Sequence, residues 1–200
     1  MNRKSLQRLG WVALFAAITA VIGPRTAFAH TGIGPAHDLL HGLTHPLTGL
    51  DHILAMFAVG LWSTSRGGRA TWLIPLTFVL AMSLGATLGM SGISIPFVEP
   101  GIALSVIILG LFVAAAVRLR LPASAFIIAL FALLHGHAHG TEMPATQSGL
   151  TYALGFVATT ILLHATGISF GLAMQRLHAS QLARYAGAAI AACGLFLCIG

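Results

Sequence analysis

Residues 72–90 read WLIPLTFVLAMSLGATLGM, nineteen positions without a charged side chain. As a helix rising 1.5 Å per residue, the run is about 28 Å long, close to the thickness of a bilayer's hydrocarbon core. Five further apolar runs lie around it: Leu50–Trp62, Phe97–Val117, Ser124–His137, Leu150–Met174 and Tyr185–Ile199. Together the six predict an all-α integral membrane protein with six transmembrane helices. The first and fourth runs are short and adjoin glycine and proline, a pattern that marks transport sites in repeat-built carriers. Composition agrees: 57% of the 200 residues are hydrophobic and 7% are charged, with a mean hydropathy of +0.92. Soluble domains carry about 25% charged residues.

The net charge of +6 and pI near 10.8 would suggest nucleic acid as a partner in a soluble chain. Here the ten basic residues stand singly or in pairs between apolar runs, so they report topology and no nucleic-acid surface is expected. Arg66 and Arg69 follow the first run, Arg118 and Arg120 the third, and Arg176 and Arg184 the fifth. All of these positions fall on one side of a six-helix path, which the positive-inside rule makes cytoplasmic. Ahead of the runs, Arg3, Lys4 and Arg8 precede the apolar stretch Trp11–Ile22, and Ala27-Phe28-Ala29 ends it. That is the layout of a cleaved signal peptide. Residues 1–29 are thus read as the signal and 30–200 as the membrane domain, with both mature termini outside a bacterial inner membrane and His30 as the new amino terminus. An uncleaved first helix is the alternative, disfavoured because Gly23-Pro24-Arg25 breaks the run well short of the roughly 20 residues a span needs. Cys193 and Cys198 have no metal or haem spacing and read as packing residues.

Ionisable side chains beside membrane spans are costly and are functional candidates by default. The acids are Asp38, Asp51, Glu99 and Glu142, and the expected topology puts all four at or near the outer surface, together with every histidine except His164 and His178. In His45-Pro-Leu-Thr-Gly-Leu-Asp51-His52, a separation of seven puts both histidines on one side if the stretch is helical. Imidazole with carboxylate suits Zn, Ni, Co or Cu(II) better than Ca or Mg; the competing reading is a helix cap at Asp51 and a buried His52 satisfying a carbonyl. In Leu134-His135-Gly136-His137-Ala138-His139-Gly140-Thr141-Glu142, His135 and His139 are four apart, and His139 and Glu142 three apart, so they align on one helix face. Gly136 and Gly140 form a small-residue stripe that admits a close neighbouring helix. The bland reading of this second cluster is an outer loop that scavenges metal.

Three further features have two readings each. His37, His41 and His45 make a ladder that is either a weak antenna for metal or the polar face of a surface helix. Glu99, beside Pro96 and Pro100, favours a helix dipole or serves transport. His164, deep in the fifth run, is a relay site or a hydrogen-bonded core histidine, the latter favoured. His41-Gly-Leu-Thr-His45 also resembles His135-Gly-His-Ala-His139, a weak self-similarity compatible with a 3+3 inverted repeat.

HPLTGLDH followed by ILAMFAVGLW, and then LHGHAHGTE, resemble the two signatures of the HupE/UreJ family of hydrogenase and urease accessory proteins. The likeness covers essentially the whole chain. It implies a nickel permease without a resident cofactor, with His45, Asp51 and His52 in the first functional motif and His139 and Glu142 in the second. It also assigns Glu99 a transport role. Leu134 departs from the family's usual aromatic residue, which leaves the packing of the fourth helix open. Relatives that carry cobalt keep Co2+ as an alternative substrate.

The expected mechanism is capture of Ni2+ outside by His30, His37 and His41. The ion then loses part of its hydration shell at a site of His45, Asp51, His52, Glu99, His135, His139 and Glu142. No Walker motif is present, so a gradient and the membrane potential would drive uptake. The rivals are an intramembrane metalloenzyme with Glu142 as general base and a b-type haem subunit with His52, His135 or His164 as axial ligand.

Overall fold

The computed structural model describes residues 35–143 and 149–199. The expected signal peptide, its cleavage point and His30 lie outside the described residues. Those described contain seven α-helices and no strand: α1 (Pro35–Thr44), α2 (Leu50–Arg66), α3 (Ala70–Met90), α4 (Val98–Ala114), α5 (Leu121–Glu142), α6 (Gly149–Arg176) and α7 (Ser180–Ile199). A single 3-10 turn, His45–Leu47, joins α1 to α2. Five of the six apolar runs lie within one helix each, and the run Phe97–Val117 overruns α4 by one residue at its start and three at its end. The fourth is longer than expected, because the His-rich stretch up to Glu142 stays helical instead of ending at His137.

Four helices, α3, α5, α6 and α7, are long and apolar enough to cross a membrane. The segment Asp38–Leu47 and α2 pass that test only as a pair, bent by 78° at the break between them, and α4 is a shorter apolar helix. Breaks of this kind are tolerated at membrane depth only where the backbone is buried in protein or lines a cavity. Pro75 lies inside α3 and has no N–H for the carbonyl of Thr71, four residues earlier. The hydroxyl of Ser63 in α2 reaches that carbonyl at 3.2 Å, its one proton shared with the nearer Gly60 O at 2.7 Å.

Lipid is as apolar as a leucine side chain, so helices associate through close van der Waals contact and small residues. The pairings are α2 with α6, α3 with α5, α4 with α7, and α1 with α6. Each is cut to fit by glycine from both sides. A Cβ on Gly60 of α2 would strike the His164 carbonyl, and one on Gly167 of α6 would strike that of Phe57. Gly85 of α3 and Gly136 of α5 stand in the same relation to Leu133 O and Met82 O, as do Gly110 and Gly187 to Ala191 N and Ala114 N at the α4–α7 seam. Trp62, Phe78, Met56, Ile74 and Ile128 fill the interior, while Trp72, Leu80, Phe126, Leu130, Leu162 and Phe196 face outward. Cys193 and Cys198 are free.

The two ends of the bundle differ. Three hydrogen bonds gather one end: Gln175 Nε2 to Thr64 O (2.9 Å), Arg184 Nε to Ala114 O (2.7 Å) and Trp62 Nε1 to Val117 O (2.9 Å). That end carries Arg66, Arg69, Arg118, Arg120, Arg176 and Arg184. The opposite end carries the His and acid clusters.

Candidate metal site

The site begins with how α1 enters α2. Gly42 of α1 and Gly155 of α6 let the two backbones touch, since a Cβ on either would strike Tyr152 O or Leu39 O. The chain then makes its 3-10 turn, closed by Thr48 Oγ1 donating to His45 O at 2.6 Å, and bends at Gly49. His45 and His52 are therefore not on one continuous helix, as the spacing of seven had suggested. The bend, rather than a helical register, turns both toward the same space. Asp51 lies in the first turn of α2 and its Oδ1 accepts from the backbone N–H of His52 at 2.8 Å and from His52 Nδ1 at 3.1 Å. Asp51 is not the cap of α2, a position held by Gly49; from inside the first turn it holds the N–H of His52 and orients the imidazole.

Across the space stands α5. Its helical register brings His135, His139 and Glu142 to one face, and the Gly136–Gly140 stripe seats that helix on Met82 and Ala86 of α3. Between α2, α4 and α5 lies a cavity of about 350 Å³ walled by His45, Asp51, His52, Glu99, His139 and Glu142, together with Thr48, Gly49, Ile102 and Ala138. Glu142 Oε2 is 3.2 Å from His45 Nε2 and 3.6 Å from His139 Nδ1. The ligand atoms of His45, His139 and Glu142 all lie within 4.8 Å of one another. Donors bound about 2.1 Å from one ion stand at most about 4.2 Å apart, so a side-chain shift of less than about 1 Å would let all three bind one cation. The rings of His52 and His139 are 3.9 Å apart, and those of His45 and His139 4.7 Å.

His135 lies beneath the wall rather than in it, fully buried, with its ring 4.6 Å from that of His52. Ser105 Oγ sits 2.6 Å from Ile102 O and 2.8 Å from His135 Nε2. A hydroxyl has one proton, which goes to the carbonyl, so the imidazole must donate in the second contact. His135 Nδ1 is then a bare lone pair, without a hydrogen-bond partner among the described residues. His52 is in the same condition: Nδ1–H is held by Asp51 and Nε2 has no such partner. Metal-binding histidines are oriented this way, one ring nitrogen tied to a carboxylate, carbonyl or hydroxyl and the other free for the ion.

Other predicted residues fall outside the cavity. His41 stacks near His45 and Tyr152, at 5.5 and 5.6 Å between ring centroids, on the approach to it. His37 is in the first turn of α1. Asp38 is buried, because α1 packs against α6 instead of lying free as a surface helix. His137 faces away and ties the α3–α4 connection through Ile93 O at 2.6 Å. The sequence reading missed Ser105, one hydroxyl in an otherwise apolar run that gave no hint of its partner. It also missed Gly49, whose added Cβ would lie 2.6 Å from Asp51 Oδ1 and 3.2 Å from His52 Nδ1. Gly49→Ala is expected to displace that pair, and any late-transition-metal affinity of this donor set in the purified protein is expected to fall about tenfold with it, within the 10–100-fold range of lost orienting contacts. Isothermal titration checks it, and unchanged affinity would contradict the assignment.

A bundle of apolar helices with imidazole and carboxylate groups converging at one end defines a helical membrane protein with a donor set suited to a late transition metal. The chain belongs to the HupE/UreJ family: the family described as HupE / UreJ protein matches residues 17–197. It is 46% identical over 185 residues, 92% of this chain and 95% of the relative, to Protein HupE of Rhizobium leguminosarum bv. viciae. No solved structure matches. Leu134, where the family usually has an aromatic residue, sits against Gly101 of α4, whose added Cβ would strike Leu134 Cδ1.

Proposed function

We propose that the chain is a secondary permease that imports Ni2+ across the bacterial inner membrane for hydrogenase or urease maturation. The observation that carries this reading is the convergence of His45, His139 and Glu142 within 4.8 Å, in a cavity shared with Asp51, His52 and Glu99, at the end opposite the arginines. The arginine end is cytoplasmic by the positive-inside rule, so the cavity opens outside and both mature termini lie there. Six spans follow if α2 with its bent lead-in and the short α4 cross together with α3, α5, α6 and α7. The pairings α2–α6, α3–α5 and α4–α7 support a 3+3 inverted repeat, because exchanging the first three spans with the last three leaves that pattern unchanged.

Imidazoles replace the water shed by the ion, and Asp51, Glu99 and Glu142 offset a charge that would otherwise face a prohibitive desolvation cost. His30, His37 and His41 serve as the outer capture groups. Inward movement is driven by the membrane potential, about 4.6 kcal/mol for a divalent ion at about 100 mV, twice the single-charge value. Radiolabelled Ni2+ uptake by cells expressing wild type, His45→Ala or Asp51→Ala, with equal membrane levels, tests the proposal. Both variants are expected to lose most uptake, and equal uptake by all three would refute it. In the same assay Co2+ is expected to compete, whereas a large excess of Mg2+, which prefers six oxygen ligands, leaves uptake unchanged.

A further inference from the structure

Below the cavity the α2–α6 seam continues inward with side chains that the outer site does not use. His164 of α6 is 2% exposed, and its Nδ1 lies 2.8 Å from Met56 O. A carbonyl oxygen only accepts, so Nδ1 carries the proton and Nε2 is left as a lone pair. That nitrogen is buried and has no hydrogen-bond partner among the described residues. A histidine that serves packing alone gains nothing from such an orphan, and buried polar atoms in folded proteins are rarely left so. With one nitrogen fixed by a backbone carbonyl and the other bare, His164 has the form in which imidazole receives a metal. One helical turn away, the buried hydroxyl of Thr160 is 3.7 Å from Met82 Sδ.

The rings connect this point to the outer site. His52 touches His135 at 4.6 Å. The fully buried Phe78 lies 5.9 Å from His135 and 5.0 Å from His164, meeting the latter nearly edge-on at 84°. A single phenyl ring thus contacts both imidazoles. Farther along the same seam, Ser63 and Thr64 of α2 and Gln175 of α6 lead toward the arginine end.

We infer that His164 is an inner metal station, which receives the permeating divalent cation from the outer site across a partition made by Phe78. The inference rests on the permease reading above. The outer site holds its ion with carboxylates, whereas the inner one offers a neutral imidazole, with the Thr160 hydroxyl and the Met82 thioether a turn away, and no charge. It therefore binds more weakly and lets the ion go, as conduction requires.

The test uses the purified full chain in liposomes that contain a metal-quenched dye, with an inside-negative potential and Ni2+ added outside. His164→Asn and His164→Gln keep an amide donor for Met56 O but remove the imidazole. Both are expected to lower the entry rate at saturating Ni2+ at least tenfold, while equilibrium Ni2+ binding at the outer site stays within twofold and the thermal midpoint is unchanged. Wild-type entry rates in either variant would overturn the inner station. So would a parallel fall of entry, binding and thermal midpoint in both, which would make His164 a structural residue. If wild type itself admits no Ni2+, the permease reading fails and the station with it.

Discussion

Glu142→Gln is expected to lower nickel uptake about 100-fold at equal membrane abundance, the largest functional loss of any single substitution at the site. Removing groups that merely orient metal ligands costs 10–100-fold, and Glu142 is itself a ligand candidate shared by two imidazoles. Its Oε2 lies 3.2 Å from His45 Nε2 and 3.6 Å from His139 Nδ1, so it joins α5 to the turn before α2. Glutamine keeps the size and one oxygen but removes the charge. The divalent ion then loses one of three carboxylates that offset its desolvation, and His45 keeps only a neutral acceptor in place of a charged one. Glu142→Asp retains the charge with a shorter reach and should fall between the two. Initial rates of radiolabelled Ni2+ uptake, normalised to protein in the membrane, decide the matter. Uptake by Glu142→Gln within twofold of wild type would remove Glu142 from the site.

Gly136→Ala should have the largest effect on stability, about 3 kcal/mol, the upper end of ordinary overpacking penalties. The added Cβ would overlap Met82 O and lie 2.7 Å from Met82 C and 2.9 Å from Ala86 N. All three are backbone atoms of α3, which cannot swing aside as a side chain can. The helices must separate, and α5 would take His135, His139 and Glu142 with it. Gly85→Ala attacks the same interface from α3, meeting Leu133 O and His137 N, so the two substitutions should combine less than additively. Gly149→Ala is the control, because its nearest neighbours are flexible methionine side chains at 3.5–3.8 Å. Thermal unfolding in detergent, followed with the membrane abundance of each variant, measures the difference. A Gly136→Ala protein as stable as Gly149→Ala would show that the α3–α5 seam has room that the structure does not give it.

Much of this was legible along the chain because a membrane imposes simple rules. Apolar runs of helix length mark the helices, and each falls mainly on one of α2 to α7. Arginine at alternate connections marks one end of the bundle, and hydrogen bonds from Trp62, Gln175 and Arg184 gather those connections into one place. On α5 the spacing from His135 to Glu142 needed only a regular helix to become a face. The stretch from His45 to His52 was misread in its geometry, because a spacing of seven carries no trace of a bend. The break depends on Gly49, which folds Asp51 back onto His52, and on α1 docking against α6, a contact made across more than a hundred residues.

By itself, then, the sequence determined the all-helical class, the end to which each cluster goes and the chemical kind of donor available there. All three depend on hydrophobicity, charge and local helical period, which are properties of residues and of near neighbours. Only the tertiary structure decided which donors share one cavity, which imidazole nitrogens are left bare, and that Ser105, Met56 and Asp51 leave them so. Hydrogen-bond direction and the sub-ångström fit of glycine against a facing carbonyl exist only between helices, and no spacing along one helix encodes them.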